Sequence, residues 1–475
     1  MIGQELGKRR SEGATKAQNA QERDHKEGGA VLTLLPAGET LQSSPENLPD
    51  GFKMTELGPL PEEWQVVRLG DVCERPQYGF TAAAQPRPVG PKLLRITDIQ
   101  DGKVDWAAVP YCECPRESID EYVLRPGDIL FARTGSVGKT YLVTKLPEQT
   151  IFASYLIRVR VNKDEIIPEF AYLFMQSTLY WRQIASQTHG AVQPNVNATQ
   201  IRGLLLPLPP LPEQQAIAHV LRTVQEAKEA TERVIAALRD LKKSLMQHLF
   251  TCGPVPLDQA DQVSLKDTEI GPIPQHWQVV RLGEVCDTRS GGTPSRKKTE
   301  LYGGPIPWVK SGELNDNVIT SCEESITEEA IQQSNARVFP AGTLLVALYG
   351  ATTGKVGILG LNAATNQAVC GIFPKKGIFT PYLFYVLIYR RDSLLQERYG
   401  GAQPNISQLV IREFRFPLPP LSEQREIARI LQAVDRKMEA EEGRKRALDA
   451  LFQTLLHELM SGRRRVKFTP ENTGR

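Results

Sequence analysis

Two stretches of the chain are near copies. Thr55-Glu56-Leu57-Gly58-Pro59-Leu60-Pro61, followed by Trp64-Gln65-Val66-Val67-Arg68-Leu69-Gly70, returns as Thr268-Glu269-Ile270-Gly271-Pro272-Ile273-Pro274, then Trp277-Gln278-Val279-Val280-Arg281-Leu282-Gly283. A second pair closes each half: Gln193-Pro194-Asn195 with Pro207-Leu208-Pro209-Pro210-Leu211-Pro212-Glu213-Gln214 reappears as Gln403-Pro404-Asn405 with Pro417-Leu418-Pro419-Pro420-Leu421-Ser422-Glu423-Gln424. Thr268 lies 213 residues after Thr55 and Gln403 lies 210 after Gln193, so the repeat unit is a whole domain with its connector. That period is far too long for a solenoid. Between the matching edges the halves diverge strongly, which suggests one frame presenting two different surfaces.

The net charge of +2 leaves no whole-molecule argument for a polyanionic partner, so any basic contact must be local. Seven cysteines are an odd number without disulfide-like rhythm, and the chain opens without the apolar core of a signal peptide; both point to a reducing cytoplasm. No window approaches 18 uninterrupted apolar residues, so no membrane span is expected. Cys112 and Cys114 could form half of a metal site, but no second close pair or His cluster supports it, and ordinary thiols are expected.

Residues 1–53 are rich in Lys, Arg, Glu, Gln, Gly and Ala, with only Val31 to Leu35 able to bury, and are expected to be a disordered extension. Residues 54–206 carry short β-branched runs between Gly and Pro, such as those around Leu93, Leu130 and Ile157, with a helical patch from Phe170 to Ile184; residues 268–416 repeat this pattern. A linker, 252–267, separates the halves, and 463–475 forms a basic tail.

Residues 207–251 and 417–462 contain the two helical spacers. In the first, Ile217, Val220, Val224, Ala227, Thr231, Val234, Leu238, Leu241 and Leu245 recur at spacings of three and four, a heptad seam with one polar break. In the second, Ile427, Ile430, Val434, Leu448, Leu451, Leu455 and Leu459 occupy the corresponding face, with a weaker charged middle containing Gly443. A helix of about 38 residues extends about 57 Å, more than a domain of this size covers, so the two seams are expected to pair as an antiparallel coiled coil.

With these motifs together, residues 54 to 465 resemble the specificity subunit of type I DNA restriction-modification systems. The signature is the combination: Gly-Pro-x-Pro-x-x-Trp opening each half, Gly127-Asp128-Ile129-Leu130 with Gly135 and Gly138-Lys139, Ser290-Gly291-Gly292-Thr293-Pro294-Ser295, Gln-Pro-Asn, and Pro-Leu-Pro-Pro-Leu-x-Glu-Gln. The resemblance implies an α+β chain of two tandem mixed target-recognition domains separated by two long helices, with approximate two-fold symmetry. It also implies double-stranded DNA as target, two methyltransferase subunits that carry S-adenosylmethionine, and restriction subunits that use ATP and Mg, with no cofactor on this chain. The extension before Met54 is longer than the family pattern needs.

Local patterns that imitate enzymes do not complete themselves. Residues 135–140 end like a phosphate-binding P-loop, but the spacing demands Gly where Arg133 stands. The equivalent segment, 350–356, has Val356 where a hydroxyl would hold magnesium. No Asn-Pro-Pro-aromatic or Asp-Pro-Pro-aromatic tetrapeptide is present, and no Ser or Cys nucleophile pairs with a base, so a non-catalytic chain is expected. The alternatives are a stand-alone DNA-binding or architectural protein and a nuclease. Trp64 and Trp277 are expected in the core.

Loop residues able to meet DNA are Gln77, Tyr78, Thr81, Arg87, Arg133, Ser136 and Lys139 in the first half, and Ser290, Thr293, Arg296, Lys297, Lys298, Thr352, Thr353 and Lys355 in the second. Gln193, Asn195, Gln403 and Asn405 occur in both halves and are assigned to turn architecture or backbone positioning, since identical residues would not read different bases.

Overall fold

The structure is a computed structural model, and it describes residues 30–34, 48–100, 102–188, 194–396 and 405–470. The chain divides into two compact units, Met1–Glu229 with Arg446–Arg475, and Ala230–Lys445.

In the first unit, the two repeated motifs meet. The strand Gln65–Arg68 pairs antiparallel with Leu205–Leu208, setting Val66 opposite Pro207. Proline is tolerable there because this is a two-stranded ribbon with free edges. Beside it lies a four-stranded sheet in the order Thr140–Leu142, Ile129–Ala132, Leu156–Val159, Gln77–Tyr78, with antiparallel neighbours. Its central strands are buried along their whole length, so Ile129–Ala132 reads as a continuous apolar run, whereas Leu156–Val159 includes one buried cation, Arg158. Helices Pro168–Phe174 and Thr178–Thr188 cover this sheet through Phe170, Phe174 and Tyr180.

The second unit repeats the ribbon, with Gln278–Arg281 paired to Arg415–Leu418 and Val279 opposite Pro417. Its main sheet is larger, five strands in the order Cys286–Ser290, Val369–Pro374, Leu344–Ala347, Val356–Leu359, Asn317–Ile319. A second sheet of four strands, Glu324–Ile326, Tyr302–Val309, Ala363–Thr365 and Val338–Phe339, packs around its own Trp308 and Ile326. The frame is therefore common while inserts of nearly equal length fold into different sheets, as the divergent sequence between the repeats anticipates.

Each long helix contributes to both units. The first, Leu211–Thr251, starts in the first unit, where Ile217 and Leu221 are buried with Trp64. Its end belongs to the second unit, where Met246, Leu249 and Phe250 are buried with Trp277 and Tyr382. The second helix, Leu421–Met460, does the converse: Ile427 and Leu431 are in the second unit's core, and Phe452, Leu455, Leu456, Leu459 and Met460 are in the first unit's. Within the second unit, Glu232 pairs with Lys445, Arg239 with Glu442 and Lys242 with Asp435, so the helices run antiparallel there. In the first unit, Lys228 meets Asp449 at 2.6 Å.

Two sequence expectations need correction. Val234 and Leu241, placed on the seam, are 41% and 47% exposed, while Ile235 is buried and Lys242 is only 19% exposed. The inward stripe thus runs one residue further along than an apolar count suggests, and Lys242 fills its place by laying its stem inside while its ammonium reaches Asp435. The extension is not without structure in all its parts: Ala30–Leu34 forms a strand antiparallel to Val466–Pro470, and Phe52–Thr55 pairs with Gly58–Pro61. The basic tail, too, is engaged, since Arg465 donates to Glu213 at 2.5 Å and 2.9 Å and to Glu63 at 2.8 Å. The linker contains a short turn of helix, Leu257–Gln262, and a strand, Leu265–Lys266, that pairs with Ile273–Pro274.

Candidate nucleic-acid interface

The repeated Glu-Gln dipeptides fix each domain to the start of its helix. Gln214 is fully buried; it accepts from the backbone N–H of Ile167 and donates to the carbonyls of Glu165 and Pro209. Gln424 reproduces all three bonds, with Phe379, Gly377 and Pro419. Trp64 and Trp277 are both fully buried, as expected, and donate their indole N–H groups to Glu213 and Glu423.

On this frame the candidate loop residues of the first unit separate into two groups. Gln77 and Tyr78 serve internal architecture: Gln77 donates to Glu121 and accepts from Arg158, while Tyr78 accepts from the N–H of Ala198 and lies beneath the Arg133 guanidinium at 5.1 Å. Arg158 is itself buried among carbonyl acceptors, and that burial lowers its pKa. Thr81 and Arg87 are exposed. Ser136 and Lys139 stand on one exposed turn, where Gly135 at φ 73° and Gly138 at φ 79° supply the left-handed backbone.

In the second unit most of the candidates are bonded to residues far away in sequence. Ser290 ends a strand opposite Cys370. Gly291 and Gly292 bring the backbone against Thr365 and Asn335 so closely that a Cβ would lie 2.1 Å and 2.3 Å from them. Thr293 donates to Gln367, and Lys298 to Gln333 at 2.7 Å. Arg296 is bidentate to Glu324 at 2.7 Å and 3.2 Å and stacks over Tyr302 and Trp308. The pairing raises the arginine's pKa, and the Arg296 guanidinium, with Lys310 beyond it, holds Glu324 below its ordinary value. Lys297 is exposed. Thr352 donates to the carbonyl of Ser311, Thr353 to that of Gly350, and Lys355 to Asn315. Asn195 and Asn405 are exposed, whereas Gln193 and Gln403 lie outside the described residues.

Residues that sequence reasoning missed include Asn315, Asp316 and Arg391 around the second turn and Trp181 beside the first. The repeat offers one signal for the latter two, since Trp181 packs on Gly138 and Arg391 on Gly354 at the corresponding place of each half.

Among the described residues, no three His, Cys, Asp or Glu side chains come together as a metal site. Burial pushes the Cys73 and Cys112 thiols up to about 11, and those of Cys286 and Cys370 to about 12, which disfavours the nucleophilic thiolate. Among the described residues no helix is long and apolar enough to cross a membrane.

Two similar domains on a shared helical frame, with polar and basic loops on each, define a class of recognition proteins rather than a single enclosed active site. The chain belongs to the family of the type I restriction modification DNA specificity domain, which matches it twice, at residues 61–239 and 274–450. Two specificity subunits of Methanocaldococcus jannaschii are similar along their length: MjaX is 29% identical over 433 residues, and MjaVIII, that of a type I restriction enzyme, is 27% identical over 438. Each comparison covers 88% of this chain and 97% of the relative. The fold is shared with the S subunit of the type I restriction-modification system of M. genitalium, with a TM-score of 0.56 at 16% identity over 87% of this chain and 98% of that one.

Proposed function

We propose that this chain is the DNA-recognition subunit of a type I restriction-modification complex, in which each domain reads one part of a split target. The observation that carries this reading is the common ribbon, with Val66 opposite Pro207 in one unit and Val279 opposite Pro417 in the other, enclosing inserts of different sheet layout and loop chemistry. A shared frame keeps the geometry of presentation constant, while unlike loops present unlike donors and acceptors to base edges.

In this reading the chain performs no covalent step. Adenine methylation belongs to two methyltransferase subunits that bind S-adenosylmethionine, and cleavage belongs to restriction subunits that use ATP and Mg. The exposed candidates Thr81, Arg87, Ser136, Lys139 and Lys297 are the first-choice DNA contacts; Gln77, Tyr78, Arg296 and Lys355 act by holding their loops in shape. The complex works in the cytoplasm, where its target DNA is.

Co-expression of the tagged chain with a type I methyltransferase subunit from the same host, followed by methylation mapping of host DNA, tests the reading. A stable complex and adenine methylation at one split motif are expected. A chain that binds duplex DNA alone, recruits no methyltransferase and leaves the methylome unchanged would instead be a stand-alone DNA-binding protein.

A further inference from the structure

The turn at residues 135–139 opens on a cavity of about 610 Å³ within the first unit. Its walls include Thr134, Ser136, Tyr172, Gln176 and Trp181, and among the described residues Lys139 is the single charged side chain that lines it. The rim is held in place: Tyr180 donates to the carbonyl of Gly138 at 2.6 Å, and Trp181 and Ile184 press so closely on Gly138 that a Cβ there would meet them at 3.2 Å and 2.8 Å. Lys139 itself is exposed and makes no side-chain hydrogen bond or ion pair among the described residues.

A wall of hydroxyl and amide groups around one ammonium, with no acid among the described lining residues, is the chemistry that holds a phosphate oxygen. The second unit closes the same turn. Lys355 donates to Asn315, Thr352 to Ser311, and Arg391 to the carbonyl of Gly354 while ion-paired with Asp316. Its lysine is therefore already engaged from within, and the Asp316 carboxylate stands next to it, accepting from the N–H of Val356.

We propose that the first unit's cavity receives a phosphodiester of the DNA strand through Lys139, and that the second unit makes no equivalent contact through Lys355. The two domains thus grip the duplex backbone unequally although their frames match. The proposal rests on the DNA-recognition reading.

The test uses the chain in complex with its methyltransferase partners and a duplex of random sequence, with affinity measured between about 50 and 200 mM salt. Lys139→Gln should reduce the slope of log affinity against log salt by about one unit, with Lys139→Arg restoring it. Lys355→Gln should leave the slope unchanged and lower the unfolding midpoint. A parent slope retained in Lys139→Gln, or an equal loss in Lys355→Gln, overturns the proposal while leaving DNA recognition standing. A parent complex that binds no duplex overturns both.

Discussion

Trp64 donates its indole N–H to Glu213 at 3.0 Å across 149 residues of sequence, and Trp277 donates to Glu423 at 2.8 Å across 146. A buried indole needs an acceptor, and a glutamate in the first turn of a helix supplies one while complementing the helix dipole. The two bonds tie the opening motif of each half to its closing motif. Their surroundings differ: Arg465 takes the other side of Glu213, whereas His276 Nε2 stands 2.8 Å from the second oxygen of Glu423.

The glutamines beside these glutamates should be costly to replace. Gln214→Leu leaves the Ile167 N–H and two carbonyls without partners in a fully buried site, and Gln424→Leu does the same around Phe379. Each buried group left unmet costs about 1–3 kcal/mol. Urea unfolding of both variants should show losses of similar size, and a loss confined to one would mean that the halves are not held alike.

Gly138 and Gly135 share a left-handed backbone but not their surroundings. Gly135→Ala meets nothing within 4 Å and should cost only its backbone strain, on the order of 1 kcal/mol. Gly138→Ala adds the clash with Ile184 and should cost more, as well as displacing Trp181. Thermal unfolding gives the ranking, and equal midpoints for the two variants would refute it.

The Arg296 and Glu324 pair should give a pH signature. Because the folded-state pKa of Glu324 is held below its ordinary 4.5, the ionised carboxylate contributes stability that is fully present above that value. That contribution is lost as pH falls from 4.5 through the depressed folded value. Glu324→Gln should therefore narrow the difference in unfolding midpoint between neutral and acid solution, and an unchanged acid dependence would show that the pair contributes nothing measurable.

Exchange of residues 56–206 for the corresponding domain of another member of the family should change one half of the methylated motif and leave the other intact. Methylome sequencing of the hybrid decides this, and changes in both halves would sink the two-reader account.

The frame was legible in the sequence because its residues are repeated: the Trp-Gln-Val-Val-Arg and Pro-Leu-Pro-Pro-Leu motifs recur together because they are paired strands, and the Glu-Gln that follows recurs because its bonds do. The helix seam was legible only to within one residue, since Val234 and Leu241 look more apolar than their neighbours while Lys242 can bury its stem and still reach Asp435. The loops were least legible. Arg296 and Glu324 are 28 residues apart, and Lys355 and Asn315 are 40 apart, so nothing local announced that their charges and hydrogen bonds were already met.

A polypeptide that stopped at the linker would carry Met246, Leu249 and Phe250 on a helix end with no core to enter, and a Trp64 core lacking Phe452, Leu455, Leu456, Leu459 and Met460. Such a fragment exposes one apolar stub and one apolar socket of unlike origin but similar make. Truncation by a premature stop codon would thus yield an adhesive product, whose two open ends are met by the missing half or by a second copy of the same fragment.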